Sequence, residues 1–224
     1  MTTDPAATTE RAEVFRFYTR LNLVLLLGRR ATTLTDLLEG IRSVPGACVY
    51  YHTHHFIEEH QFLQLQPPND FAYWVRDVLG ERRLGEKLAS IDTVQFTRIE
   101  DIRSELINAI ECAWPNGDHD QRCPEGAEFH FAACQTFVLP TPYQAATLAE
   151  FIDMVQRVSV NSLYFHIFEA RLRLDRGVND FSEWLRHCGN DRLAEAISKL
   201  DPYTQSIEGL RRRIVKLAGQ YGHA

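Results

Sequence analysis

The chain has 224 residues, 45% of them apolar and 24% charged, with a formal net charge of −6. This is ordinary for a globular protein, and the acidic balance excludes a broadly basic surface of the kind that grips duplex nucleic acid. No apolar run reaches the ~20 residues of a membrane-spanning helix; the best, residues 21–27, is interrupted by Asn22.

Residues 1–12 are polar and lack a basic start followed by an apolar stretch, so they are expected as a flexible tail and not a secretory signal. The five cysteines, an odd number, argue against a disulfide framework and for a reducing cytoplasm.

Residues 15–26 and 128–139 alternate apolar and polar positions around Phe15, Phe17, Phe129 and Phe131, which predicts a strand in each place. Pro140 and Pro142 are expected to end the second. Thr33 with Asp36, and Thr147 with Glu150, are helix-opening caps. Leu34, Leu37, Leu38 and Ile41 make a buried stripe that Pro45-Gly46 closes. Residues 47–61 read as a helix, or as a strand followed by a helix. Asn69-Asp70 and Asn179-Asp180 open short helices ending at Gly80 and Gly189, with Phe71, Trp74, Phe181 and Trp184 inward. Residues 83–91 form another short helix, and Thr97 with Glu100 is expected to cap the one that carries Ile102, Leu106 and Ile110.

The two halves repeat one another. At an offset of 114, Phe15 matches Phe129, Phe17 matches Phe131, Thr33 matches Thr147, Tyr50 matches Tyr164 and His52 matches His166. At 110, Asn69-Asp70-Phe71 matches Asn179-Asp180-Phe181 and Trp74 matches Trp184; at 108, Arg103 matches Arg211. The expected architecture is mainly α with a minor β component (α+β), as two tandem duplicated units in a pseudo-twofold arrangement. Residues 13–112 are the first unit, 113–127 a linker with two Pro-containing turns, and 128–224 the second. A lone strand cannot satisfy its backbone, so the two strands are expected to pair across the pseudo-twofold axis.

The densest polar cluster is Tyr50-Tyr51-His52-Thr53-His54-His55, followed by Glu58, Glu59 and His60. On a helix His52, His55 and Glu59 share a face. His166 and Glu169 occupy the matching positions of the second half. Convergence of His52, His55, His166 and Glu169, with Glu59 nearby, would suit zinc or non-haem iron. The competing reading makes these side chains structural, hydrogen-bonded in a half-buried interface, with Glu169 paired to Arg171 or Arg173. His54 and His60 are expected to face water. A second constellation, Cys112, His119, Cys123, His130 and Cys134, lacks the tight knuckle spacing of structural zinc sites. Cys48 and Cys188 read as small buried hydrophobes. The basic clusters at residues 28–30, 81–83 and 211–213 read as solvated helix ends or faces, and Arg29, Arg30 or Arg171 would serve a small anionic ligand.

Gly28-Arg29-Arg30-Ala31-Thr32-Thr33-Leu34, Tyr50-Tyr51-His52 and Asn69-Asp70-Phe71-Ala72-Tyr73-Trp74 resemble the pattern of an uncharacterised prokaryotic family of unknown function, over nearly the whole chain after the first dozen residues. The resemblance implies no activity or catalytic residue. It implies an accessory role, because some members are encoded beside or fused to sugar-transferring enzymes. The expected function is therefore a non-catalytic accessory or scaffold protein acting through a protein partner, with a metalloprotein, and through it an enzyme, as the alternative.

Overall fold

The structure, a computed structural model, describes residues 14–59, 69–114, 121–170, 178–201 and 206–221. It is an α+β fold, mainly helical, with one two-stranded sheet. Strand β1 (Phe15–Ala31) leads into α1 (Leu34–Ser43), α2 (Gly46–Glu59), α3 (Asp70–Tyr73) with a π-helical turn (Trp74–Val78), α4 (Arg82–Ala89) and α5 (Ile99–Ala113). Strand β2 (Phe129–Ala145) leads into α6 (Leu148–Arg157), α7 (Val160–Tyr164) with a π-helical turn (Phe165–Glu169), α8 (Asp180–His187), α9 (Asp191–Ser198) and α10 (Ile207–Tyr221).

The local signals act as expected at most helix ends. Thr33 accepts from the Asp36 amide while the Asp36 carboxylate takes the Thr33 amide, and Thr147 with Glu150 does the same. These caps satisfy amides that the first turn leaves without partners. Gly80 and Gly189 end the Asn-Asp-Phe helices at φ +77° and +76°, a conformation a Cβ would strain. The expected cap from Thr97 does not form. Helix α5 starts behind Arg98 without a side-chain cap, and Glu100 is held by Arg103 at 2.8 Å. The ambiguous segment after Pro45 is helix α2.

Strands β1 and β2 pair antiparallel along their length, with Phe15 opposite Ala145, Asn22 opposite Thr136 and Ala31 opposite Phe129. Both exceed the sequence reading: β1 continues to Ala31, and β2 passes through Pro140 and Pro142 to Ala145. The reason is local. Pro140 stands opposite Tyr18, next to a register shift at residues 16–18. The Tyr18 amide points instead at His166, and its carbonyl accepts from the Ser162 hydroxyl at 2.6 Å. A proline that has no N–H to give is tolerated there.

Each strand exchanges partners along its length. Phe15 and Phe17 of β1 pack in a core with Phe151, Val155, Phe181 and Trp184, all from helices that follow β2. Phe129 and Phe131 of β2 pack with Leu37, Ile41, Phe71 and Trp74, from helices that follow β1. The far strand ends return, Ala31 to the core of the helices that follow β1 and Ala145 to the core of those that follow β2. Contact is tight: a Cβ on Gly40 of α1 would collide with the Phe131 ring. Neither helical group has a complete core without the opposite strand. Among the described residues, no helix is long and apolar enough to cross a membrane.

Candidate functional site

The Asn-Asp-Phe motif builds a clamp, once in each helical group. Asn69 caps α3 by accepting from the Ala72 amide at 2.8 Å, and its amide group reaches the Leu88 carbonyl at 3.1 Å. Asp70, the first helical residue, meets His52 Nδ1 at 2.8 Å. His52 Nε2 accepts the backbone N–H of Ala132 in β2 at 3.0 Å. Asn179, Asp180 and His166 repeat this: the Asp180 carboxylate lies 2.8 Å from His166 Nδ1, and Nε2 accepts from the Tyr18 amide of β1 at 2.8 Å. Because Nε2 accepts, the ring is neutral with its proton on Nδ1, donated to the carboxylate. Phe181 stacks on the His166 ring with centroids 5.4 Å apart, and Phe71 lies the same distance from His52. Each histidine therefore ties a helix start to the strand of the other half.

A second cluster lies where α2 and the π turn of α7 meet under the ribbon. Arg20 of β1, whose side chain is 1% exposed, donates to Tyr50 Oη at 2.7 Å and to Glu169 Oε2 at 2.9 Å. Its guanidinium stacks over the Tyr164 ring, 4.1 Å from the centroid. Tyr164 reaches the His54 carbonyl at 3.4 Å. His54, expected at the surface, is buried, stacked on Tyr50 and bonded to the Thr53 hydroxyl at 2.8 Å. Burial first, with Arg20 adding repulsion, lowers its pKa to about 4, so His54 is neutral.

The helices expected to meet at the centre thus do meet, but around a guanidinium. His52 and His166 are not brought together: each belongs to its own core, with both ring nitrogens engaged. Glu169 pairs with Arg20; Arg171 and Arg173 lie outside the described residues. The side chains of His55 and Glu59, and all of His60, also lie outside them. Among the described residues no group of three or more His, Cys, Asp or Glu side chains stands together as a metal set.

Of the second constellation, Cys112 is exposed, His130 faces Arg30 in the ladder, Cys134 is buried against the Ala47 carbonyl, and His119 lies outside the described residues. Burial pushes the Cys48 thiol up to about 12, as suits an inert core residue. Trp74 and Trp184 are core, and Trp74 Nε1 donates to the Ala127 carbonyl at 2.7 Å. Of the basic clusters, Arg29 bonds Ser43 and Arg211 holds the Val158 carbonyl at 2.8 Å; Arg212 and Arg213 are exposed. Arg20 escaped the sequence reading because its strand gives no sign of which helices it meets. The matched tyrosines, Tyr50 and Tyr164, were the available signal.

The middle of the ribbon is apolar and uncovered. Leu21 is 58% exposed, Leu23 50%, Leu25 44%, Phe137 43% and Leu139 45%. Leu21 pairs with Phe137, Leu23 with Gln135 and Leu25 with Ala133, so strand alternation sets these side chains on one face. Leu26, 76% exposed, stands on the other. No charged residue occurs in residues 21–28 or 131–149.

No curated protein matches the chain. A solved structure titled "The structure of OrfY from Thermoproteus tenax" superposes with a TM-score of 0.79 at 31% identity, over 95% of this chain and 97% of that one. Residues 12–219 match the model of DUF5752, a family of unknown function, and the chain belongs to that family.

Proposed function

We propose that this chain is a non-catalytic accessory or scaffold protein of a reducing cytoplasm, built from two diverged copies of one unit, and that it acts by docking a protein on its ribbon. The observation that carries the reading is the uncovered apolar face around Leu21, Leu23, Leu25, Phe137 and Leu139. Those side chains leave roughly 500 Å² of apolar surface in water, near the upper end of the largest patch an ordinary monomer carries. Single exposed leucines need no explanation; a contiguous, uncharged set on one face does.

The fused-dimer reading draws support from the register. Partners in the ladder exchange under the offset of 114: Phe15–Ala145 becomes Phe129–Ala31, and both register shifts fall at matching places. The clamps repeat in the same way. Duplication would leave two strands to pair about a twofold axis through Asn22 and Thr136. The units would then span 13–112 and 128–224, with strands exchanged between them.

The histidine–aspartate pairs favour the non-catalytic reading. In an acid–base dyad the ring nitrogen away from the carboxylate faces the substrate. Here a backbone amide of the opposite half takes that nitrogen in both pairs. The pairs act as struts.

The test places a photo-crosslinking residue at Leu23 and, as a control, at exposed Lys216 of α10, in the cell that makes the protein. A defined crosslinked protein from Leu23 and not from Lys216 supports docking at the ribbon. Equal or no product at the two positions overturns it.

A further inference from the structure

We infer that the occupant of the ribbon face is a second copy of this chain, packed ribbon against ribbon about a twofold axis. The inference rests on the docking reading above and names its partner.

The face has the symmetry such a contact uses. The offset of 114 carries Leu21 to Gln135, Leu23 to Phe137 and Leu25 to Leu139. The Leu21–Phe137 pair and the Leu23–Gln135 pair therefore exchange places about the centre of the ribbon. A patch that is nearly the same read in either direction sets leucine and phenylalanine at matched distances from its centre, so a second copy laid across it about a twofold axis meets apolar side chains on both sides. Its polar groups near the centre are uncharged: Gln135 on this face, Asn22 and Thr136 on the other. Thr136 already spends its hydroxyl proton on Asn22.

Charge points the same way. Each copy carries a net −6. Two such molecules repel wherever their acidic surfaces face, and the uncharged strip formed by residues 21–28 and 131–149 lets them approach without opposing carboxylates. A basic partner would find nothing on this face to recognise.

The area is also suitable. The face leaves roughly 500 Å² per copy, or about 1,000 Å² over both, at the lower bound of a specific interface, while Val24, Leu26 and Val138 stand on the opposite face and take no part. Two layers of a ribbon packed face to face at about 10 Å would interdigitate Leu21, Leu23, Leu25, Phe137 and Leu139 with their copies.

The experiment is sedimentation velocity of the full chain over a concentration series, for wild type, Leu23→Glu, Phe137→Glu and Lys216→Glu. The expected result is a wild-type dimer that Lys216→Glu preserves, while Leu23→Glu and Phe137→Glu weaken association by about 100-fold or more. Both glutamates enter a face that is open to water in each separate copy, so the circular dichroism spectrum should stay at its wild-type shape, while the melting temperature should fall only by what association contributes. A second measurement does not depend on those variants. Gln135→Cys, in a Cys112→Ser background, should give a disulfide-linked dimer on mild oxidation, because residue 135 lies beside the axis. A wild type that stays monomeric throughout overturns the second-copy inference, as does a dimer that resists both glutamates and gives no Gln135→Cys crosslink. A monomer whose Leu23 crosslinks a different protein overturns this inference alone and leaves the docking reading standing.

Discussion

Thr136 donates its hydroxyl proton to Asn22 Oδ1 at 2.8 Å, and the two residues face each other at the midpoint of the ribbon. They stand 114 residues apart, the offset that aligns the matched aromatics and histidines of the two halves. The ladder therefore reads alike from either strand, and each strand delivers its leading phenylalanines to the helices of the opposite half.

Because of that exchange, the halves should not fold as independent monomers. A chain of residues 14–112 lacks Phe129 and Phe131 from its helical core; residues 121–221 lack Phe15 and Phe17. Losing buried phenylalanines costs about 3–5 kcal/mol each, comparable to the whole stability of a small domain. Neither piece should show a cooperative thermal transition as a monomer. Mixing the two should restore one, seen by circular dichroism and by co-elution.

The clamps predict a local signature. His166→Ala removes the acceptor of the Tyr18 amide and the donor to Asp180, and His52→Ala does the same to Ala132 and Asp70. Each should cost about 3 kcal/mol in urea denaturation, since a buried N–H and a carboxylate both lose partners. Hydrogen exchange should show lost protection at Tyr18 for His166→Ala and at Ala132 for His52→Ala. Exchange unchanged at those two amides would contradict the clamp.

Acid should weaken the fold through His54. Its pKa falls from an ordinary 6.5 to about 4 in the folded chain. Between those values the unfolded chain binds a proton that the native state refuses, so stability rises with pH across that window. The contribution is fully present above pH 6.5, declines as pH falls, and is lost by about pH 4; its size is about 3 kcal/mol. His54→Phe installs the residue the second half carries at the matching position, Phe168. It should flatten the stability profile between pH 4 and 6.5, measured by urea midpoints at several pH values.

Arg20 should be coupled to Glu169. Arg20→Ala takes the guanidinium away from a largely buried carboxylate and from the Tyr50 hydroxyl, at a cost of about 3–5 kcal/mol. Arg20→Ala combined with Glu169→Ala should cost less than the two single changes added, because the second removes the charge that the first leaves behind. Strict additivity in chemical denaturation would show that the ion pair does not link the ribbon to α7.

The sequence by itself determined the elements that depend on near neighbours. Thr33 with Asp36, Thr147 with Glu150, and the Asn-Asp-Phe starts are caps completed within one turn, so they are legible from spacing alone. Trp74 and Trp184 are placed in the core by helical periodicity, and the mainly helical α+β class follows from the same patterns. The site was legible only in part. His52, His166 and Glu169 stand out by type and spacing, but a ring nitrogen is claimed by whatever backbone passes it, and here that backbone comes from residues 148 and 80 positions away. Strand alternation reports which side chains share a face, and carries no information about which helices will cover it. The tertiary structure alone decided that β1 and β2 exchange cores, that Arg20 occupies the meeting point of the helices, and that His54 is buried. It also decided that the apolar run from Leu21 to Leu27 spans the gap between two cores and lies open to water.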